Sequence, residues 1–287
     1  MYTFVTTTYN DIKGLKILMD SLFISSILPT EIIIVDSESN DGTENYVREL
    51  QKNAKIDIVY VCKKLTIGSA RNYGVSIAKS NYVLISDTYC ILDFLWAENI
   101  CNKLKEGYSF VGGAFKAIGN TCAQKGYSNI LNQEVQIENF NPSSRSIGFS
   151  KIDFLAVGGY PSEYNQGEDT YFNIIIINSK FKFIQYNKAI VEWYGRPTFK
   201  DLFTQYKRYA IGDLDYGIFK KKFIIIPFLH PIVNVLLLII PSIIYIAVVI
   251  ILLFYKKKLN KCSLFTRLVI DYATVAGFNN YIIKKIL

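Results

Sequence analysis

The sequence predicts an α/β protein: a mostly parallel sheet with helices on both faces, followed by interfacial and transmembrane helices toward the C-terminus. Three observations lead there. The first hundred residues alternate short β-rich runs with segments of helical apolar spacing. One of those runs, residues 31–35 (EIIIV), is continuously apolar, as in a strand covered on both faces. The last third holds a stretch, 223–255, without a single Asp, Glu, Lys or Arg.

Taken in order, residues 2–7 are a first strand, and 12–23 a helix with Ile12, Leu15, Leu18, Met19 and Leu22 at helical spacing. Residues 31–35 are the second strand, and Asp41-Gly42-Thr43 opens a helix to about Lys52. A third strand at 56–62, a helix at 69–78 and a fourth strand at 82–86 (YVLIS) complete repeated βαβ units. Beyond Lys105 the pattern loosens. Residues 110–115 read as a strand, 128–138 as a helix, and 140–150 (FNPSSRSIGFS) as a loop. A turn at 164–167 then starts a helix over 169–178. Residues 198–219 carry aromatic and basic residues at helical spacing, the pattern of a helix lying along a membrane surface.

Composition narrows the function classes. With 51% hydrophobic residues, 21 Tyr and 19 Phe, the chain must bury a core. A single histidine, His230, argues against Ser-His-Asp and Cys-His hydrolases and against histidine-rich metal sites. Cys62, Cys90, Cys101, Cys122 and Cys262 are odd in number and form no CxxC pair. They read as reduced thiols of a cytosolic environment, without structural zinc. The opening MYTFVTTTYND lacks the basic and apolar regions of a signal peptide.

The net charge of +8 is segregated. Residues 1–195 carry 18 Lys+Arg against 20 Asp+Glu, whereas 196–287 carry 14 against 4. Lys220–Lys222 and Lys256–Lys258 bracket the apolar run, which fits anionic lipid headgroups and not nucleic acid. As one straight helix the run would measure ~50 Å against a hydrocarbon core of ~30 Å. Pro227, Pro231 and Pro241 interrupt it. A hairpin turning near Pro241, entering from the cytoplasmic face, satisfies both lysine clusters; a single tilted span is the alternative. The expected divisions are a globular domain over 1–197, an amphipathic interfacial helix over 198–222, a membrane-embedded hairpin or span over 223–255, and a basic amphipathic segment over 256–287.

Ligands of open α/β sheets bind at the carboxyl ends of strands. Here those ends read Thr6-Thr7-Thr8-Tyr9-Asn10-Asp11, Asp36-Ser37-Glu38-Ser39-Asn40-Asp41-Gly42-Thr43 and Ser86-Asp87-Thr88-Tyr89, with Gly68-Ser69-Ala70-Arg71-Asn72 entering the third helix. Singly, each is a turn or a cap: Asp41 and Ser69 are good N-caps. Together they bring an aromatic ring, carboxylates and an arginine to one crevice, equipment for a base, a ribose and a diphosphate. TTTYND lacks the glycines of a dinucleotide-binding turn, which excludes a Rossmann oxidoreductase.

The run TTTYND, EIIIVDSESNDGT, IGSARNYG, YVLISDTYC, then SIGFSKIDFLAVGGYPSEYNQGEDTYF and QYKRY, resembles the family-2 glycosyltransferases with a GT-A (Rossmann-like) fold, over residues 2–212. The resemblance implies a nucleotide-sugar donor and makes 1–197 the catalytic domain. It also implies roles. Thr8 and Tyr9 hold the nucleobase, Asp36 accepts from a base N–H, and Asp41 belongs to the same donor-binding loop. Arg71 faces the diphosphate or ribose. Asp87 falls on the first carboxylate of the family's DxD, touching ribose and a Mg2+ or Mn2+ ion. Asp169, beside Glu168 in GEDT, is the general base of an inverting transfer.

Tyr89 stands where the DxD has its second carboxylate, and Tyr is a poor ligand for hard cations. Asp93, six residues on, is expected inside the next helix. Tyr89 also motivates the rival reading, a weakly active or non-catalytic nucleotide-sugar-binding scaffold. Arg145 either contacts an acceptor phosphate or pairs with Glu163 or Glu168. Gln205, Arg208 and Tyr209 are similar to the family's QxxRW, which closes over acceptor and leaving diphosphate; an interfacial helix arginine is the other reading of Arg208. Trp96 and Trp193 read as packing residues. With the apolar run at hand, the expected acceptor is membrane-associated and lipid-linked, at the cell membrane with the catalytic domain cytosolic.

Overall fold

The computed structural model describes residues 1–132, 141–163, 166–215, 250 and 261–286. Apart from Ile250, the apolar run 223–255 and both triple-lysine clusters lie outside the described residues, as does His230. Two compact units emerge: Met1–Lys116 with Val135–Trp193, and Ala117–Glu134 with Tyr194–Leu287.

The first unit is built on an eight-stranded sheet. In chain order its elements are β1 (Thr3–Thr8), α1 (Ile12–Phe23), β2 (Glu31–Asp36), α2 (Thr43–Asn53), β3 (Asp57–Cys62), α3 (Ile67–Ile77), β4 (Tyr82–Ile85), β5 (Cys90–Leu92), α4 (Trp96–Lys105), β6 (Phe110–Ile118), β7 (Ile147–Ser150), α6 (Lys151–Ala156), α7 (Glu168–Ile177) and β8 (Phe183–Tyr194). Every element expected through residue 86 forms within two residues of its expected bounds. The apolar EIIIV run is fully buried, as a strand between two neighbours and under helices must be. α1 turns Leu15, Leu18, Met19 and Leu22 inward, and Asp11 caps it by accepting from the Gly14 amide. α3 lies close on β1 because Gly74 has no Cβ to run into Val5.

The strand order is β3-β2-β1-β4-β7-β6-β8-β5. β1 pairs in parallel with β2 and β4, and β2 with β3. From β4 onward the pairing turns antiparallel: β4 with β7, β7 with β6, β5 with β8. The sheet is therefore mixed, not mostly parallel. The βαβ periodicity stops after β4, and β7 returns from the stretch expected to be loop. β5, α6 and β8 are short or irregularly patterned and carry no sequence expectation, and the helix expected around Asp93 begins at Trp96 as α4. Asp93 precedes α4, its Oδ1 accepting from the Leu95 amide, and so is not inside a helix. Trp96 is a packing residue, edge-on to Phe4 with its Nε1 donating to Ser146.

In the second unit, α5 (Cys122–Leu131) begins six residues before the expected helix, at a capping box in which Thr121 and Gln124 satisfy each other's backbone amides. α8 (Phe199–Asp215) buries Leu202, Gln205 and Ala210. α9 (Lys261–Ile286) supplies the cover: Phe199 meets Phe265, and Gly277 admits Lys207 and Ala210. The inward side of α8 is thus occupied by protein. Among the described residues no helix is long and apolar enough to cross a membrane.

α5 and α9 are joined by a disulfide, Cys122–Cys262, with Cα atoms 5.1 Å apart. Gly126 permits this approach, since a Cβ there would strike the Cys262 carbonyl. The expectation of five reduced thiols is corrected for this pair; Cys62, Cys90 and Cys101 are free. Residues 140 apart in sequence cannot reveal their pairing by spacing. Thiol titration of the denatured, non-reduced protein should count three cysteines, and five after reduction. Cys262→Ser should lower the stability of this unit by about 2–4 kcal/mol, read as a lower Tm without reductant.

Candidate active site

The parallel registers align Thr8 with Asp36, so the polar ends of β1 and β2 finish side by side. The loops beyond them are stitched together. The Asn10 amide donates to Ser39 Oγ at 2.7 Å, and the Asn40 amide to Asn10 Oδ1 at 2.8 Å. Asn10 and Glu38 take left-handed backbone conformations to make this turn, at φ 48° and 65°.

Asp36 is fully buried at the end of β2. Its Oδ1 accepts from the Ser39 amide and hydroxyl, and its Oδ2 from the Tyr60 hydroxyl at 2.6 Å. Tyr60 was not anticipated, because its link to Asp36 crosses from one strand to the next. Thr8 is buried with no partner for its hydroxyl among the described residues, whereas Tyr9 is exposed beside it.

Asp41 does not offer its carboxylate to the crevice. Oδ2 accepts from the Ile12 amide, and Oδ1 from the Thr43 amide and hydroxyl, so it ties α2 to the start of α1. Burial opposes its charge, but the hydrogen bonds from Thr43 and Ile12 outweigh it and hold the carboxyl below the usual range. These bonds make Asp41 a brace between α2 and α1.

Arg71 is 1% exposed. Nη2 donates to Asp87 Oδ1 at 2.7 Å, and Nη1 to Glu168 Oε1 at 2.6 Å. The guanidinium lies over the Tyr160 ring, 5.2 Å from its centre. Burial works against the charge, but Asp87 and Glu168 together keep the group firmly protonated. Asn72, next in the chain, donates to the Tyr160 carbonyl and accepts from its amide. Sequence reasoning quoted Asn72 only as part of a motif; its clamp on Tyr160 spans 88 residues.

Glu168 and Asp169 open α7, whose N-cap Gly167 has a left-handed φ of 77°. Both carboxylates sit where a helix N-terminus favours negative charge. They differ in environment. Glu168 is buried on Arg71; burial pushes its carboxyl up, the guanidinium pulls it back, and Asp169 adds an upward push. Asp169 is half-buried, and its Oδ1 accepts from the Thr170 amide at 2.8 Å. α7 is anchored from below by an aromatic cluster: Tyr160 lies 4.3 Å from Phe172, and Phe149 stacks on Phe154 at 4.4 Å.

The Arg145 guanidinium sits over the Trp193 ring at 4.2 Å and donates to Ser143, while its carbonyl accepts from Ser86 beside Asp87. In the second unit, Gln205 is buried and donates to the Tyr209 hydroxyl at 2.6 Å, whereas Arg208 is exposed. One helix face therefore does not give these two residues one environment.

Residues 3–155, more than half of the sequence, match the family described as Glycosyl transferase family 2. The chain belongs to glycosyl transferase family 2. Its fold is shared with crystal structures of S. aureus TarS. For TarS 1–349 in complex with UDP-GlcNAc the TM-score is 0.55 at 15% identity, covering 74% of this chain and 66% of that one. For the UDP complex it is 0.54 at 15% identity, covering 74% and 65%. A further TarS structure matches at 0.53 and 15% identity, over 73% of this chain and 39% of that one. The family-2 chain thus spans 39% to 66% of these TarS structures.

For a divalent cation, the family's DxD offers only Asp87. Tyr89 holds φ at 59°, its amide donating to the Gly14 carbonyl and its ring lying where a Gly14 Cβ would be. It packs against α1. Among the described residues no three His, Cys, Asp or Glu side chains gather as a metal site. The single carboxylate of that motif would not by itself cage a Mg2+ or Mn2+ ion, since such ions take several oxygen ligands.

Asp41→Asn, which removes the acceptor for the Ile12 amide while keeping one for Thr43, should cost about 0.5–1.5 kcal/mol at neutral pH, the net worth of one hydrogen bond. Because the folded-state carboxyl is held low, this stabilisation is present above the unfolded value near ~3.9 and is lost as pH falls through the folded value. Denaturant melts of both proteins should differ at pH 7 and converge in strong acid.

Proposed function

We propose that this family-2 chain is an inverting glycosyltransferase that moves a sugar from a nucleotide-sugar donor to a membrane-associated, lipid-linked acceptor. The observation that carries the reading is the meeting, through Arg71, of the donor-side carboxylate Asp87 with the Gly167-Glu168-Asp169 helix start. Donor carboxylate and acceptor-side base belong to one site when a single-step displacement is to occur.

In this reading the nucleotide lies across the ends of β1 and β2, with Thr8 and Tyr9 against the base. Asp36, held by Ser39 and Tyr60, accepts from a base N–H on a remaining lone pair. Asp87 takes the ribose and, with the diphosphate, a Mg2+ or Mn2+ ion; the ion when bound neutralises charge on the leaving group. Asp169 receives the proton of the acceptor hydroxyl as that oxygen attacks the anomeric carbon and the nucleoside diphosphate departs. Glu168 anchors the helix start and leaves proton transfer to Asp169. The complexes of TarS with UDP-GlcNAc and with UDP make a uridine nucleotide the first donor to try. Arg145, Gln205, Arg208 and Tyr209 are assigned to the acceptor and leaving diphosphate.

The lipid-linked acceptor rests on the apolar run between lysine clusters, which also supports a location at the cell membrane with the catalytic domain cytosolic. The Cys122–Cys262 disulfide favours the opposite, oxidising compartment. Cysteines introduced near Lys221 and Lys258 and labelled from outside intact cells decide: no labelling at either supports a hairpin with cytosolic flanks. Release of the chain by a carbonate wash would remove membrane insertion.

Asp169→Asn should keep nucleotide affinity while lowering kcat by ~10²–10⁴, the range of general-base catalysis, in an assay of nucleoside diphosphate release. Near-full activity would take Asp169 out of the mechanism. Binding without turnover in the wild type, across a panel of donors and acceptors, would favour the scaffold reading.

A further inference from the structure

We propose that Arg71 is a positioning residue that fixes the donor carboxylate Asp87 relative to the helix start carrying Asp169. This rests on the glycosyltransferase reading and adds a role that the motif assignment of Arg71 to the diphosphate does not contain. Both Nη atoms are committed to protein carboxylates, one on the loop after β4 and one on the first residue of α7. The side chain is buried from solvent and backed by the Tyr160 ring. Asn72 fastens the same turn of α3 to the Tyr160 backbone, so two consecutive residues tie α3 to the segment leading into α7.

The geometry explains why the two acidic residues of GED are consecutive. Neighbouring helical residues point about 100° apart. With Glu168 turned inward to the guanidinium, Asp169 is turned away from it. Arg71 thereby sets the direction of the base without touching substrate. Only a planar fork can do this: guanidinium donates to two carboxylates in fixed directions, whereas an ammonium is a point donor on a flexible stem.

The test compares wild type with Arg71→Lys and Glu168→Gln in the full chain. Three quantities are read: calorimetric affinity for UDP and GDP, kcat and KM for sugar transfer, and hydrogen exchange at the amides of Gly167–Thr170. Positioning by Arg71 predicts, in Glu168→Gln, nucleotide affinity within about threefold of wild type and kcat lower by roughly 10–10²-fold, the scale of a misplaced catalytic group. It also predicts faster exchange at Gly167–Thr170 in both variants. Tenfold weaker nucleotide binding in Arg71→Lys with full kcat in Glu168→Gln would overturn it, making Arg71 a donor ligand. Unchanged exchange would overturn it as well. If Arg71→Lys fails to fold, Glu168→Gln carries the test alone, and an unaltered kcat and exchange rate in that variant reject the proposal. A wild type that transfers from no nucleotide sugar defeats the glycosyltransferase reading instead, while the exchange measurement still reports on the coupling.

Discussion

The first unit depends on a buried guanidinium shared between two carboxylates. Taking Arg71 out of water costs several kcal/mol, which only good geometry on both sides can offset. Its contacts at 2.6 and 2.7 Å, with the Tyr160 face behind it, supply that geometry. Three chain segments far apart in sequence must then arrive together: the first turn of α3, the loop after β4, and the start of α7. Removing one partner would leave a buried charge uncompensated, a loss of about 3–5 kcal/mol in comparable pairs. The aromatic cluster beneath α7 carries the same constraint in apolar form, holding the helix where its first residue can reach the arginine.

Around that ion pair the strand-end loops are ordered by local polar contacts. Asp36 and Asp41 face opposite duties although five residues apart: one closes the β2 end against Ser39 and Tyr60, the other joins α2 to α1. The non-glycine residues with left-handed backbone, Asn10, Glu38 and Tyr89, all follow strands whose ends form the crevice. Each such conformation costs on the order of 1–2 kcal/mol, and it persists where neighbouring bonds over-determine it. The stitches between Asn10, Ser39 and Asn40 are of that kind. The ends of β1 and β2 are thereby held in place by the protein's own hydrogen bonds.

The second unit uses different means. Helices of modest hydrophobicity pack through small residues, Gly126 against Cys262 and Gly277 against Lys207 and Ala210, and a disulfide closes one of the contacts. Ser263, Thr266 and Ala273 line the buried side of α9, so close backbone approach replaces bulky apolar filling. A helix pattern that reads in sequence as a membrane-surface face is here partly consumed by another helix.

Sequence alone determined the parallel half of the sheet, the polar strand ends that make a crevice, and the family resemblance. Those features are local: apolar runs, helical spacing and cap residues are set by neighbours within a few positions. It also marked Asp87 as a carboxylate at a strand end, and Glu168 and Asp169 through the resemblance that GEDT carries. Only the tertiary structure decided what each of them holds. Arg71 meets Glu168 across 97 residues, and Cys122 meets Cys262 across 140. Of the antiparallel strands, β6 was legible at 110–115, whereas β5 and β7 are three and four residues long and too short to show a period. Asp41 and Arg71 carry the lesson most plainly. A charged side chain beside a crevice can face the ligand or brace the wall, and the choice is made by partners that the linear order keeps far away.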